Sequence, residues 1–234
     1  MQVLKFIYRP KIVLMTGKNE IGDAIYSFLE QRQERLLHRF READPVTSDI
    51  VRALNPDLII TCYWPFLLNR DIIEIPRLGC INFHPALLPR NRGWYPSVWE
   101  VLERGEHDAG VTLHMIEEKA DTGPLLSQMS FPVGETDTGG DVYEKSREKM
   151  IFMFKEVWEM LYDFGVVLKK QKEEMATYHT KKETNELDEI DLEKDYKAGY
   201  LFNLIKAKTF GDKSYAYYRK DGVKYSLKLT VTKE

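Results

Sequence analysis

The feature that most constrains this chain is a series of short apolar runs at residues 11–15, 58–62, 79–83 and 110–116. Each is too short for a stable helix and lacks strict alternation, so each reads as a strand buried on both faces. Between them lie segments of helical character. Residues 20–31 carry Ile21, Ala24, Ile25, Phe28 and Leu29 at helical spacing after the Thr16-Gly17 turn. Residues 49–54 read as a short helix closed by Asn55-Pro56, residues 71–75 as a short helix or turn before Pro76, and residues 95–104 as a helix ending at Gly105. Strands alternating with helices predict an α/β fold with a mostly parallel sheet joined by right-handed crossovers. Ligands in such sheets bind beyond the carboxyl ends of the strands. A longer helix is expected from residue 141 to about 164, with Val142, Ile151, Phe154, Val157, Trp158 and Leu161 as its core stripe.

Beyond Gly165 the chain turns polar, and residues 185–234 read as a small second unit following a larger one over residues 1–184. It combines a helix at residues 200–208 with a hairpin at residues 215–231 that turns at Lys220-Asp221-Gly222. A lone two-stranded hairpin is marginal in water and leaves an open edge, so a homodimer is expected.

Acidic and basic residues nearly balance, for a formal net charge of -3, which gives no reason to expect nucleic acid or an anionic membrane as partner. No stretch approaches the roughly 18 apolar residues of a membrane span, and the first residues lack the pattern of a secretory signal. Cys62 and Cys80 lie in apolar runs and read as free thiols. The expected location is the cytoplasm.

Several motifs invite function. The loop TGKNEIG at residues 16–22 fits neither the dinucleotide nor the Walker phosphate spacing, so it reads as a plain strand–helix turn. His38, His107 and His179 have polar neighbours and read as surface residues; His114 reads as a hydrogen-bonded core residue. His84, His114 and Asp121 lack the short ligand spacing of a zinc site, so no metal is expected. Asn82 and His84 differ from these. Residues i and i+2 of a strand point to one side, so both project from the end of the third run. Histidine can exchange a proton near neutral pH and asparagine can donate to a developing oxyanion. Asp121, in the Gly-containing turn after the next strand, would come close to His84 if adjacent strand ends bring it there. The trio suits attack of an amine on a carbonyl. Spacing alone fits equally a structural asparagine, a core histidine and a turn aspartate.

The stretches NFHPALLPRNRG and AGVTLHMIEEKADTGPLL closely resemble the formyltransferases that use N10-formyltetrahydrofolate, and Asp121 follows His84 by 37 positions as that pattern requires. The resemblance covers roughly residues 11–161. It implies a Rossmann-like formyltransferase fold, catalytic roles for Asn82, His84 and Asp121, and a folate site formed by Trp64, Phe66 and Leu68 on one side and the turn containing Glu117 and Ala120 on the other. The segment NRGWYPSVW and the tail NELDEIDLEKDY resemble the branch that formylates nucleotide-linked amino sugars. The implied substrate is dTDP-4-amino-4,6-dideoxyglucose, in surface polysaccharide synthesis. GDP-perosamine, a 3-amino sugar, a purine precursor, or a non-enzymatic folate or nucleotide-sugar binding role are the alternatives. Arg90 and Arg92 would meet the diphosphate, Trp94 and Tyr95 the sugar or base, and Phe210 the base. A phosphate-binding glycine loop of the purine enzymes has no counterpart in the first residues.

Overall fold

The computed structural model describes residues 2–105 and 107–233. The chain forms two compact units, each assembled from three segments. Unit one comprises Met1–His84, Val111–Met129 and Glu148–Glu174; unit two comprises Pro85–Gly110, Ser130–Arg147 and Met175–Glu234.

Unit one holds most of a six-stranded sheet. Its strands are β1 (Lys11–Thr16), β2 (Arg35–Arg41), β3 (Leu58–Cys62), β4 (Cys80–His84), β5 (Ala109–Met115) and β6 (Leu125–Phe131), in the spatial order β2-β1-β3-β4-β5-β6. Neighbours from β2 to β4 run parallel, while β5 runs antiparallel to β4. The fold is therefore α/β with a mostly parallel sheet, as expected. Two strands had no apolar run to announce them, β2 (RLLHRFR) and β6 (LLSQMSF). Both are edge strands with polar residues interspersed.

Helix α1 (Glu20–Gln31) starts where Asn19 Oδ1 accepts from the Gly22 N–H at 2.9 Å, and it buries Ile21, Ile25 and Leu29. A cap of this kind contributes about 1 kcal/mol. Asn69 caps α3 (Arg70–Ile73) and Thr47 caps α2 (Ser48–Leu54) in the same way. One face of the sheet packs Val13, Met15, Phe40, Ile59 and Cys80 against Val51 of α2 and Ile72 of α3. The other face meets the long helix α5 (Gly139–Asp163), where Phe154 lies 5.3 Å from Phe83 and 5.7 Å from Phe28 of α1. The stripe expected for α5 is buried at Val142, Phe154, Val157, Trp158 and Leu161, and half-buried at Ile151. Alternation along β4 thus sends Phe83 into the α5 layer and Cys80, Asn82 and His84 to the opposite face.

Unit two contains α4 (Pro96–Leu102), α6 (Lys181–Glu186) and α7 (Ala198–Ala207). Its hairpin pairs Tyr217–Lys220 with Val223–Ser226 through a two-residue turn at Asp221 and Gly222, with φ of 51° and 76°. Positive φ at both positions is what a type I′ turn needs, and Asp-Gly supplies it at low cost. Tyr218 and Tyr225 stack across the pair at 5.1 Å. His179 and His107 depart from the surface placement their polar neighbours suggested. His179 is buried, stacked on Trp99 at 3.6 Å, because the chain lies parallel to residues Arg92–Gly93 there. His107 is half-buried beside Glu100 and Glu103.

Candidate active site

The site grows out of sheet register. Thr61 of β3, Asn82 of β4 and His114 of β5 are lateral partners in three neighbouring strands. Thr61 Oγ1 donates to Asn82 Oδ1 at 2.6 Å, and Asn82 Nδ2 donates to His114 Nε2 at 3.1 Å. His114 Nδ1 faces the Met115 carbonyl at 2.7 Å. That carbonyl can only accept, so Nδ1 carries a proton, and in the neutral ring Nε2 accepts. His84 lies two residues along β4, is 4 % exposed, and has Thr112 of β5 as its lateral partner.

Asp121 joins this row. One of its carboxylate oxygens lies 3.5 Å from His84 Nδ1 and 3.5 Å from His114 Nε2. It arrives by a different route from the expected one. Since β5 is antiparallel to β4, Met115 pairs with Ile81 near the start of β4, and the chain leaves β5 at the end away from His84. The turn between β5 and β6 then folds back along the sheet. Gly123 makes this possible, since a Cβ there would sit 2.0 Å from the Met115 carbonyl oxygen. Gln171 Nε2 donates to the carbonyl oxygens of Asp121 and Gly123, each at 2.8 Å, and pins the turn. Asp121 itself has φ 58°, a left-handed conformation that Asp and Asn tolerate better than most residues.

His84, Asp121 and Asn82 are thus brought together, and His114 with them. Among the described residues no group of three His, Cys, Asp or Glu side chains is arranged to hold a metal ion. In the loop after β3, Trp64 is half-buried and 5.5 Å from Phe66, which is exposed, as is Leu67; Leu68 is buried in the core of that face. Glu117 is exposed and Ala120 half-buried. In unit two, Arg90 is half-buried and Arg92 buried. Trp94 and Tyr95 are exposed with their rings 5.8 Å apart, and the Lys181 ammonium lies 5.1 Å from the Trp94 ring. Phe210 is half-buried, edge-on to Tyr215 at 5.7 Å.

Thr61 and Gln171 were not singled out by sequence reasoning. Thr61 left one trace, a hydroxyl in the middle of a run of buried apolar residues. Gln171 left none, since its partners are 48 and 50 positions away.

Residues 10–157 match the formyl transferase family, and residues 183–233 match the N-formyltransferase dimerization C-terminal domain. A methionyl-tRNA formyltransferase of Legionella pneumophila is 36% identical over 130 residues, which is 56% of this chain and 41% of that protein. The chain thus spans about two-fifths of the length of that curated relative. Among solved structures, a sugar N-formyltransferase from Shewanella sp. FDAARGOS_354 superposes with a TM-score of 0.82 at 21% identity, covering 96% of this chain and 99% of that one. The formyltransferase PseJ from Anoxybacillus kamchatkensis, solved with UDP-4,6-dideoxy-4-formamido-L-AltNAc and tetrahydrofolate, gives 0.64 at 26% identity over 75% of this chain and 88% of that one. With the family pattern matched over more than half its length, this chain belongs to the formyl transferase family.

Proposed function

We propose that the protein transfers the formyl group of N10-formyltetrahydrofolate to the amine of a nucleotide-linked amino sugar, with dTDP-4-amino-4,6-dideoxyglucose as the first candidate. The observation that carries this reading is the convergence of His84, Asp121 and Asn82 in a segment that matches the formyl transferase family. The sugar is favoured by two neighbours, one described as a sugar N-formyltransferase and one solved with a UDP-linked formamido sugar. A UDP-linked sugar is the second reading, because the PseJ structure holds one.

The neutral amine attacks the formyl carbon, and the carbonyl oxygen gains negative charge. Asn82 Nδ2 and a protonated His84 donate to it; one such donor is typically worth about 2.7–4 kcal/mol in the transition state. Asp121, with a carboxylate oxygen 3.5 Å from His84 Nδ1, pairs with the imidazolium and takes the amine proton through water. The folate N10 leaves with a proton, so one proton is lost from the amine and one gained by the leaving nitrogen. The exposed Trp64–Leu67 segment and the turn bearing Glu117 and Ala120 are assigned to the folate. Arg90 and Arg92 are assigned to the diphosphate, and Trp94, Tyr95 and Phe210 to sugar and base.

The second unit is assigned to a homodimer, supported by the description of the matched C-terminal domain and by exposed Tyr200, Phe202, Tyr215, Val223 and Tyr225. A cytoplasmic place in surface polysaccharide synthesis completes the reading; no helix among the described residues is long and apolar enough to cross a membrane. The test is incubation with N10-formyltetrahydrofolate and a panel of dTDP-, UDP- and GDP-linked amino sugars, read by mass spectrometry. Gain of one formyl group on one sugar supports the reading; no gain on any, with formylation of a purine precursor instead, removes the sugar assignment.

A further inference from the structure

We infer that Thr61 is a positioning residue: its hydroxyl sets which way round the Asn82 amide sits, so that the nitrogen rather than the oxygen serves the developing oxyanion. This rests on the proposed formyl transfer for its consequence, though not for its geometry. The two orientations of an asparagine amide are nearly equal in shape and opposite in chemistry. Nitrogen donates to an oxyanion, whereas oxygen repels it.

The sheet decides between them from both sides. Thr61 is 2 % exposed, and its hydroxyl has two acceptors in reach, Asn82 Oδ1 at 2.6 Å and the Ile81 carbonyl at 3.4 Å. The shorter contact places the amide oxygen on the β3 side. On the β5 side, Nδ1 of His114 is committed to the Met115 carbonyl, so in the neutral ring Nε2 is an acceptor, and an acceptor there calls for the amide nitrogen. An NH2 group has two hydrogens; one goes to His114 and the second is available to the reacting carbonyl. Turning the amide over would set Oδ1 against Nε2, acceptor against acceptor. It would also force the Thr61 proton onto the Ile81 carbonyl. Register makes the arrangement possible, since Thr61, Asn82 and His114 are direct lateral neighbours on one face. Thr61 does not contact the reacting atoms; it acts through Asn82.

Thr61→Val keeps the β-branched shape of a buried strand residue and removes only the hydroxyl. Turnover should fall about five- to tenfold, the effect of one neutral hydrogen bond. The KM for the formyl donor should stay within about twofold, and Thr61→Ser should restore most of the rate. In an Asn82→Ala background, Thr61→Val should cost nothing more, because there is no amide left to orient. A second measurement needs no turnover. In the intact chain labelled with 15N-histidine, the His114 Nε2 resonance, assigned by His114→Gln among the five histidines, reports the bond from Asn82. It should move in Thr61→Val in the direction seen in Asn82→Ala, and hold its place in Thr61→Ser. A wild-type resonance in Thr61→Val overturns the inference, as does a rate loss that persists in full without Asn82. Should the wild-type protein formylate no amino sugar, the proposed function fails, and the resonance alone decides the role of Thr61.

Discussion

Asp121→Asn isolates the charge at the site. The substitution keeps size and shape, and asparagine accepts the left-handed backbone at φ 58°. The turn is held by Gln171 through the main chain, so it does not depend on the carboxylate. What is lost is the attraction between the carboxylate and a protonated His84 at 3.5 Å. With an effective dielectric of about 20 that attraction is roughly 5 kcal/mol. The Asp121 side chain is 13% exposed, so water takes a share, and about half, near 2.4 kcal/mol, is the working figure. This corresponds to about sixtyfold in rate, close to the lower end of the range for acid–base groups. Steady-state formyl transfer should show the loss in kcat, with the KM for the formyl donor within a few fold. The His84→Asn/Asp121→Asn double variant should be little worse than the poorer single one, because the two act as a unit. Circular dichroism should be unchanged. Turnover within about fivefold of wild type, in a folded variant, would refute the role given to the carboxylate.

The Glu100 carboxylate, 3.5 Å from His107 Nε2, and Glu103 at 3.7 Å hold His107 above the ordinary histidine pKa, against burial and Arg90. Its contribution to stability is therefore full below about pH 6.5 and is lost as pH rises through the elevated folded value. Thermal melts of the wild type should lose stability across that window relative to His107→Gln, and parallel curves would remove His107 as the cause. Burial raises both thiols, Cys80 to about 12 and Cys62 further still, so neither should react with a disulfide reagent until the protein unfolds; titration at pH 8 with and without denaturant checks this. The Lys208 ammonium is buried and donates to the Thr184 carbonyl and to Asp188 at 2.7 Å, while burial lowers its pKa. Lys208→Ala strands Asp188 and should destabilise by about 3 kcal/mol or more, seen as a shift of the denaturation midpoint; an unchanged midpoint would count against it.

The central strands and their chemistry could be read from the residues alone. β1, β3, β4 and β5 are buried on both faces, and such strands must be written in continuous apolar residues. Asn82 and His84 at the end of one of them must share a side, because that follows from the pleat. The Asp-Gly hairpin turn was legible for the same reason, since local geometry demands those residues at those positions. Edge strands carry no such demand, so RLLHRFR and LLSQMSF read as neither helix nor strand. The direction of β5 came from the folded core, since an apolar run has no sign. The folded core decided as well that Asp121 reaches His84 by a turn folded back over the sheet. It buried His179 by stacking it on Trp99, 80 positions earlier in the chain. It placed Thr61 and His114 on either side of Asn82. The reason is common to all of these: each contact depends on which strands become neighbours and in what register, and that is settled by how the whole core closes, not by residues near in sequence.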